Sequence, residues 1–304
     1  MDSRYVPSYV ALGNGGNELV LRANRAMEML RACRLCPREC GARRLVEETG
    51  DCGIGSSCRV AAAFPHGGEE PCLSGDAGSG AIFFSGCSLH CLYCQNASIS
   101  QHPEGRELSG QELGSLMIAL QQRGCHNINL VTPTHVVPQI LEGISRGVEM
   151  GLSLPLVYNT GGYDSLETLQ LLEGVMDIYL VDMKYASHEA GLSLSGVSRY
   201  GEINRRGVKE MFRQVGHLQK DSRGIARRGL MIRHLVLPGY AEESRKIADF
   251  LASEIPGDPY IHLMSQYRPE YRAREHPLLR ESLKEEAFLE VADIFQRAGL
   301  HPVF

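Results

Sequence analysis

The chain has 304 residues, 43% of them hydrophobic and 22% charged, with a net charge of −5. This is the composition of a globular protein of one large domain, or of one domain with a small extension, and it supplies no overall basic surface for nucleic acid. No apolar run approaches the ~18 residues of a membrane span, and MDSRYVPSYVALGNGG has neither the basic start nor the apolar core of a signal peptide.

A cytoplasmic location is therefore expected, with no nucleic-acid or membrane partner. In that compartment the ten cysteines stay reduced, which favours metal or cluster ligation over disulfides.

Residues 1–16 read as irregular. The pattern LVLRANRAMEML predicts a helix from residue 18 to about 31, with Asn17 as its cap. The stretch CRLCPRECGARRLVEETGDCGIGSSC (33–58) lacks long apolar periodicity and reads as a small metal-stabilised lobe. Cys33, Cys36, Cys40 and Cys52 supply four thiolates, which suits zinc or a fully ligated auxiliary cluster; Cys58 is a spare. HGGEEPCLSG (66–75) reads as a solvated charged turn, with Glu69 and Glu70 facing the mouth of the barrel as the alternative.

Beyond residue 81, short apolar runs alternate with helical patterns. AIFFSG (81–86), HNINLV (126–131), LPLVYN (154–159), DIYLVDM (177–183), LMIRHLVL (230–237) and PYIHLMS (259–265) predict six strands. Ser109 with Glu112 forms a capping box that opens a helix to about residue 123. Thr134 is placed to cap the next helix, SLETLQLLE (165–173) predicts another, and further helices are expected over 187–219, 243–255 and 280–298. Runs rich in Val, Ile and Leu without alternation suit a parallel sheet buried on both faces, whose chemistry collects at the strand C-termini. Six units are too few for a closed eight-stranded barrel, so the expected fold is α/β, a partial (βα)6 TIM-like barrel over residues 76–304 or else a doubly wound sheet, with a helix and cysteine-rich lobe over residues 1–75.

The segment GCSLHCLYCQN (86–96) follows the first of these strands. Cys87, Cys91 and Cys94 give the spacing C-x3-C-x2-C, with no fourth cysteine before Cys125. Three thiolates hold a 4Fe–4S cluster with one iron left open to a small molecule. The triplet after the first of six βα units, with Tyr93 before its last cysteine, resembles the radical S-adenosylmethionine (SAM) superfamily. GSGAIFFSGCSLHCLYCQNASIS (78–100), NLVTPTHVVPQI (129–140), DMKY (182–185), RHLVLPG (233–239) and LMSQYRP (263–269) further resemble its PflX-like branch, which is related to the activating enzymes of glycyl radical enzymes.

That resemblance implies a 4Fe–4S cluster on Cys87, Cys91 and Cys94, and SAM bound through the open iron. It also implies reductive cleavage to a 5′-deoxyadenosyl radical and hydrogen abstraction from a substrate. The substrate is a glycine of a glycyl radical protein, a small molecule or another polypeptide; a flavodoxin or ferredoxin supplies the electron. The competing class is a non-catalytic iron–sulfur electron carrier.

Most of the superfamily has Gly-Gly-Glu after the second strand, where this chain has Thr132-Pro133-Thr134-His135, so a Thr132 or Thr134 oxygen stands in for the carboxylate. Thr134 is equally suited to capping alone. The turn Asn159-Thr160-Gly161-Gly162 resembles a SAM-contacting turn. Asp182 and Lys184 share one face of their strand, where charge is costly unless paired or ligand-bound. The resemblance gives both a SAM contact, with Lys184 toward the methionyl carboxylate. Arg233 and His262 interrupt apolar strands and are further candidates for the cavity. His90, between two cysteines, is expected to face solvent.

Overall fold

The computed structural model describes residues 5–14, 17–46 and 48–304. Among them nine strands form: β1 (Cys58–His66), β2 (Ser79–Phe84), β3 (Arg106–Leu108), β4 (Ile128–Val131), β5 (Leu156–Thr160), β6 (Ile178–Asp182), β7 (Gln219–Lys220), β8 (Ala226–Leu235) and β9 (Tyr260–Met264). The six expected strands are β2, β4, β5, β6, β8 and β9. They pair in that order and all in parallel, with helices between them, as a partial barrel requires.

Their residues divide by side. On the outer face Ile128, Leu130, Leu156, Tyr158, Tyr179, Val181, Leu230 and Ile232 join a core shared with the helices. On the inner face Val157, Ile178, Leu180 and Met231 pack with Cys72 and Leu73 in the lumen. Burial on both faces is why these strands read as continuous apolar runs.

Three features depart from the sequence reading. Residues 8–14 were expected to be irregular, yet Ser8–Asn14 is a helix; residues 1–4 and 15–16 lie outside the described residues. Asp177 holds the start of this helix, accepting from the Ser8 backbone N–H at 3.2 Å and from the Tyr5 hydroxyl at 2.6 Å.

The division at residue 75 does not follow a break in the packing. β1 runs antiparallel to β2 in the barrel sheet, and β3 lies beyond it. Helix Glu18–Glu28 packs on helix Val137–Glu149, and Leu19, Ala26, Leu30 and Leu35 join the same core as Ile140 and Ile144. β1 was invisible because CRVAAAFPH is rich in Ala and carries Pro65, neither a strand signal.

The caps divide as well. Ser109 and Glu112 form both bonds of the capping box, whereas Asn17 sits at its N-cap position without a side-chain bond. Thr134 caps nothing: Thr134–Val136 is a turn of 3-10 helix, the following helix starts at Val137, and the Thr134 hydroxyl is turned to Asp164.

Two buried histidines brace the barrel. His135 Nε2 lies 2.8 Å from the Ser85 carbonyl, at the root of the cysteine loop. His234 Nδ1 lies 2.6 Å from the Met183 carbonyl and Nε2 2.8 Å from the Ser244 hydroxyl. Burial pushes each imidazole down to about 4.

A histidine depressed in the fold contributes stability above its unfolded pKa and loses it as the pH falls toward the folded value. Here that window runs from about 6.5 to about 4. Denaturant titrations at pH 7 and pH 4 are therefore expected to show a His234→Gln protein losing about 3 kcal/mol less on acidification than wild type. Equal losses refute this account of His234.

Candidate active site

The loop leaving β2 begins at Gly86, whose φ of +78° suits glycine; a Cβ there would collide with the Cys52 carbonyl. Cys87, Cys91 and Cys94 follow. Burial raises the Cys87 and Cys91 thiols, Cys91 and Cys94 add to the rise at Cys87 and Cys94 to that at Cys91, and Lys184 opposes it at both.

Each sulfur has a hydrogen-bonding neighbour. The Leu89 N–H donates to Cys87 Sγ at 3.3 Å, Ser195 Oγ is 2.9 Å from Cys91 Sγ, and Ser100 Oγ is 3.1 Å from Cys94 Sγ. Such neighbours stabilise thiolates and tune a cluster they hold. Among the described residues no three His, Cys, Asp or Glu side chains stand at the spacing of a single metal ion's ligands. A cubane takes each thiolate on a different iron, so its ligands stand wider apart than those of one ion. The three thiols on one loop, with their donors, fit a 4Fe–4S cluster.

Behind the loop lies an aromatic wall. Tyr93 is buried, its hydroxyl 2.8 Å from that of Tyr185, which is 2.5 Å from Ser195 Oγ. A continuous hydrogen-bonded chain thus runs from Cys91 through Ser195 and Tyr185 to Tyr93. Nothing in the local sequence marked Ser195, the second of two serines in helix His188–Ser195.

The ends of β5, β6 and β8 carry the charges. Lys184 Nζ is 2.7 Å from Asp182 Oδ2, and Arg233 Nε is 3.0 Å from Asp182 Oδ1. Arg233 Nη2 donates to Asn159 Oδ1 at 2.7 Å, and Nη1 is 3.5 Å from Glu69 Oε2. Against the cost of burial, Lys184 and Arg233 pull the Asp182 carboxyl down to about 2. Burial opposes the charge on Lys184 too, but Asp182 holds it above the ordinary lysine range.

Tyr200 and Asn204 lock this corner: Tyr200 Oη donates to the Gly161 carbonyl at 2.8 Å, and Asn204 Nδ2 to the Gly162 and Asp182 carbonyls at 3.0 Å each. Asn159, Asp182, Lys184 and Arg233 are therefore brought together, and His262 joins through Glu70 at 3.0 Å.

Other expectations are corrected. Thr134 and Thr160 do not face the lumen charges. Both donate to Asp164, each at 2.7 Å, as does the Tyr158 hydroxyl at 2.8 Å. This buried knot ties the ends of β4 and β5, and Asp164 is its acceptor; the only sequence sign was its place just after the glycine turn.

Glu69 and Glu70 are not a solvated turn. Glu70 is only 4% exposed, and both carboxylates enter the lumen. His90 is only partly open. Its ring nitrogens lie 2.8 Å from Asp51 and 2.9 Å from Gln101, so it ties the triplet loop to the residue before Cys52.

Thr132 remains half-exposed at the end of β4, with φ +60°. A β-branched residue in the left-handed region is strained by about 1–2 kcal/mol and persists where the surroundings or a function demand it. Thr132→Gly is expected to raise stability by about 1 kcal/mol while weakening SAM binding measured by equilibrium dialysis. Unchanged SAM affinity removes Thr132 from the site.

The N-terminal cysteines also gather. Burial pushes Cys36 up to about 12, and Cys52, Cys33 and Cys40 add to the rise; burial likewise raises Cys52, opposed by Arg44. Arg44 is 1% exposed, with Nη1 3.6 Å from Cys33 Sγ. Cys58 stands apart, its thiol 3.5 Å from the Leu108 carbonyl on β3.

A family model described as the radical SAM superfamily matches residues 81–251. The chain is 30% identical over 298 residues to the uncharacterized protein MJ0674 of Methanocaldococcus jannaschii, covering 95% of this chain and 81% of that one. Among solved structures it is similar to Streptococcus suis SuiB bound to S-adenosylmethionine, with 11% identity and a TM-score of 0.49 over 71% of this chain and 47% of SuiB. A radical SAM methyltransferase from Sphaerobacter thermophilus gives 14% identity and a TM-score of 0.48, over 73% of this chain and 65% of that one. Native anSMEcpe with bound AdoMet and Cp18Cys peptide gives 12% and 0.48, over 70% and 56%. The chain thus spans about half the length of SuiB.

Proposed function

Because the chain belongs to the radical SAM superfamily, we propose that it cleaves SAM reductively and removes a hydrogen atom from a carbon of its substrate. A 4Fe–4S cluster on Cys87, Cys91 and Cys94, with SAM on its open iron, supplies the 5′-deoxyadenosyl radical when bound.

The observation that carries the reading is the meeting of this incomplete thiolate set with paired charges: Leu89 of the cysteine loop and Lys184 Cε both close on Gly161, and Lys184 is ion-paired to Asp182. An electron carrier needs neither an open iron nor buried charges beside it. Lys184 would hold the methionyl carboxylate of SAM, with Asp182 keeping Lys184 and Arg233 charged and aimed. Tyr93, on the wall beside Cys91, and the turn from Asn159 would bound the cofactor's other end. Anaerobic reconstitution, reduction with dithionite and assay for 5′-deoxyadenosine test this; a reconstituted protein that leaves SAM intact sinks it.

Within the family we place the chain in the PflX-like branch, on the motifs at 78–100, 129–140, 182–185, 233–239 and 263–269. Its relation to activating enzymes favours a backbone glycine of a partner protein as substrate, reduction by a flavodoxin or ferredoxin, and work in the reducing cytoplasm. An electron paramagnetic resonance doublet from a candidate glycyl radical protein, after incubation with reduced enzyme and SAM, supports that substrate. Formation of 5′-deoxyadenosine without the doublet in any candidate turns the reading to a small molecule or another polypeptide.

The segment before residue 76 adds a second centre on Cys33, Cys36, Cys40 and Cys52; of the two expected occupants, zinc or iron–sulfur, the cluster is favoured, because no three of these thiols stand at the spacing of one ion's ligands. Arg44 supports it. A buried guanidinium is costly unless a negative charge faces it, and among the described residues no carboxylate pairs with Arg44. Its polar contacts are the Gly55 carbonyl and Cys33 Sγ, and its Nη2 is unpartnered. A metal–thiolate centre provides the missing anion. A variant with Cys87, Cys91 and Cys94 all replaced by Ala is expected to retain bound metal; one with neither zinc nor iron refutes the centre.

A further inference from the structure

The lumen below the Asp182 corner carries polar groups that neither SAM nor the fold uses. Asn129 of β4 pairs with Ala81 of β2 and Val157 of β5. Val157 lines the lumen, whereas Ile128 and Leu130 belong to the outer core. Alternation therefore points Asn129 inward.

Asn129 is 0% exposed, its amide oxygen and nitrogen have no hydrogen-bond partner within 3.5 Å, and the polar group its amide faces is the Glu69 carboxylate, which it stabilises. Such an orphaned pair is rare in a folded interior and calls for an explanation. Beside it stand the two carboxylates of the strap between β1 and β2. Glu70 receives His262 on Oε1, while its buried Oε2 is also unpartnered. Glu69 is close to Asn129 and Glu70 and reaches Arg233.

Three carboxylates, from Asp182, Glu69 and Glu70, thus face two fixed cations, Lys184 and Arg233, with the imidazoles of His66 and His262 at the edge. Arg233 and His262, at its edge, keep 18% and 23% of their side-chain surface open.

We propose that this floor, formed by Glu69, Glu70 and Asn129, is the recognition end of the substrate pocket, and that it takes a protonated amine with a neighbouring oxygen. The orphaned atoms specify that ligand. Glu70 Oε2 and Asn129 Oδ1 accept from the ammonium, Asn129 Nδ2 donates to the oxygen, and the ammonium balances the third carboxylate. Burial and the nearness of Glu70 already raise Glu69, the condition an added cation relieves. A substrate anchored here would extend past Arg233 toward the Asp182–Lys184 corner, carrying its carbons to the radical's side of the lumen. The proposal rests on the radical reading of that lumen.

The test uses a matched pair of probes on the whole protein. Glycinamide has the ammonium and the carbonyl oxygen; propionamide has the same shape with a methyl in place of the ammonium. Titration calorimetry should show glycinamide binding and propionamide at least about tenfold weaker, as expected for an unmatched buried charge. Asn129→Leu, which fills the same volume without polar atoms, and Glu70→Gln, which keeps the shape and loses the charge, should each weaken glycinamide by about tenfold in protein whose melting temperature shows it folded. Two variants guard against one failing to fold.

Equal affinity for the two probes, no binding of either, or full glycinamide affinity in a folded variant overturns the proposal. SAM cleavage by the same wild-type preparation separates the two failures. Cleavage without glycinamide binding discards the floor and keeps the radical reading. Binding without cleavage discards the radical reading and leaves an amine site.

Discussion

A Cys91→Ala protein, reconstituted and reduced beside wild type, is expected to yield no 5′-deoxyadenosine above the reagent blank. Cys91 is the middle thiol of the triplet, nearly buried, and sits 2.9 Å from the Ser195 hydroxyl at the head of the chain to Tyr185 and Tyr93. A three-thiolate cluster has no spare ligand, so losing one leaves an iron unprotected and the cluster unheld. The control is Cys58→Ala, which removes a thiol just as buried but bonded only to the Leu108 carbonyl. It should cost about 1 kcal/mol in stability and leave SAM cleavage intact. The measurement is 5′-deoxyadenosine by chromatography, with iron content on the same samples. Full turnover by the Cys91→Ala protein refutes the assignment of the triplet.

The contrast between Cys91 and Cys58 also marks what the sequence could show. Cluster ligands announce themselves by local spacing, and C-x3-C-x2-C after a strand is local. The six parallel strands were equally legible, because burial on both faces leaves a continuous apolar run. The Ser109–Glu112 box was legible because both partners lie within one turn.

What failed was non-local. β1 joins the sheet through residues with weak strand preference, so only its pairing with β2 reveals it. Glu69 and Glu70 sit in a Gly- and Pro-flanked stretch that has every local mark of a surface turn. They are drawn inside by Arg233 and His262, 164 and 192 residues away. Thr134 had a local role as a cap and lost it to Asp164, 30 residues on. A polar side chain at a strand end has several possible partners, and the topology chooses among them.

Asp182→Asn is expected to be the most costly single change in the lumen. The carboxylate accepts Lys184 on one oxygen and Arg233 on the other, and all three side chains are less than one-fifth exposed. Taking away the shared anion leaves two cations facing each other with only the more distant Glu69 and Glu70 to offset them. Breaking a buried pair in this way costs about 3–5 kcal/mol, more than the pair contributed over an apolar replacement.

The pH dependence distinguishes this from loss of shape. Asp182 is held at about 2 in the fold, below its unfolded value. Its stabilisation is present above the unfolded pKa near 4 and disappears as the pH falls through about 2. The gap between wild type and Asp182→Asn in urea denaturation should therefore be full at pH 7 and shrink by about 2 kcal/mol on titration from pH 4 to pH 2. A gap independent of pH over that range means that the asparagine disturbs packing rather than charge.

The second readout is chemical. With Asp182 gone, Lys184 and Arg233 repel each other, and Lys184 is no longer fixed beside the cysteine loop, so SAM affinity in equilibrium dialysis should fall by about tenfold or more. A double variant, Asp182→Asn with Lys184→Met, should recover part of the stability by removing one uncompensated cation, and none of the SAM affinity. Recovery of both would mean that Lys184 is in the lumen to neutralise Asp182 and has no ligand of its own.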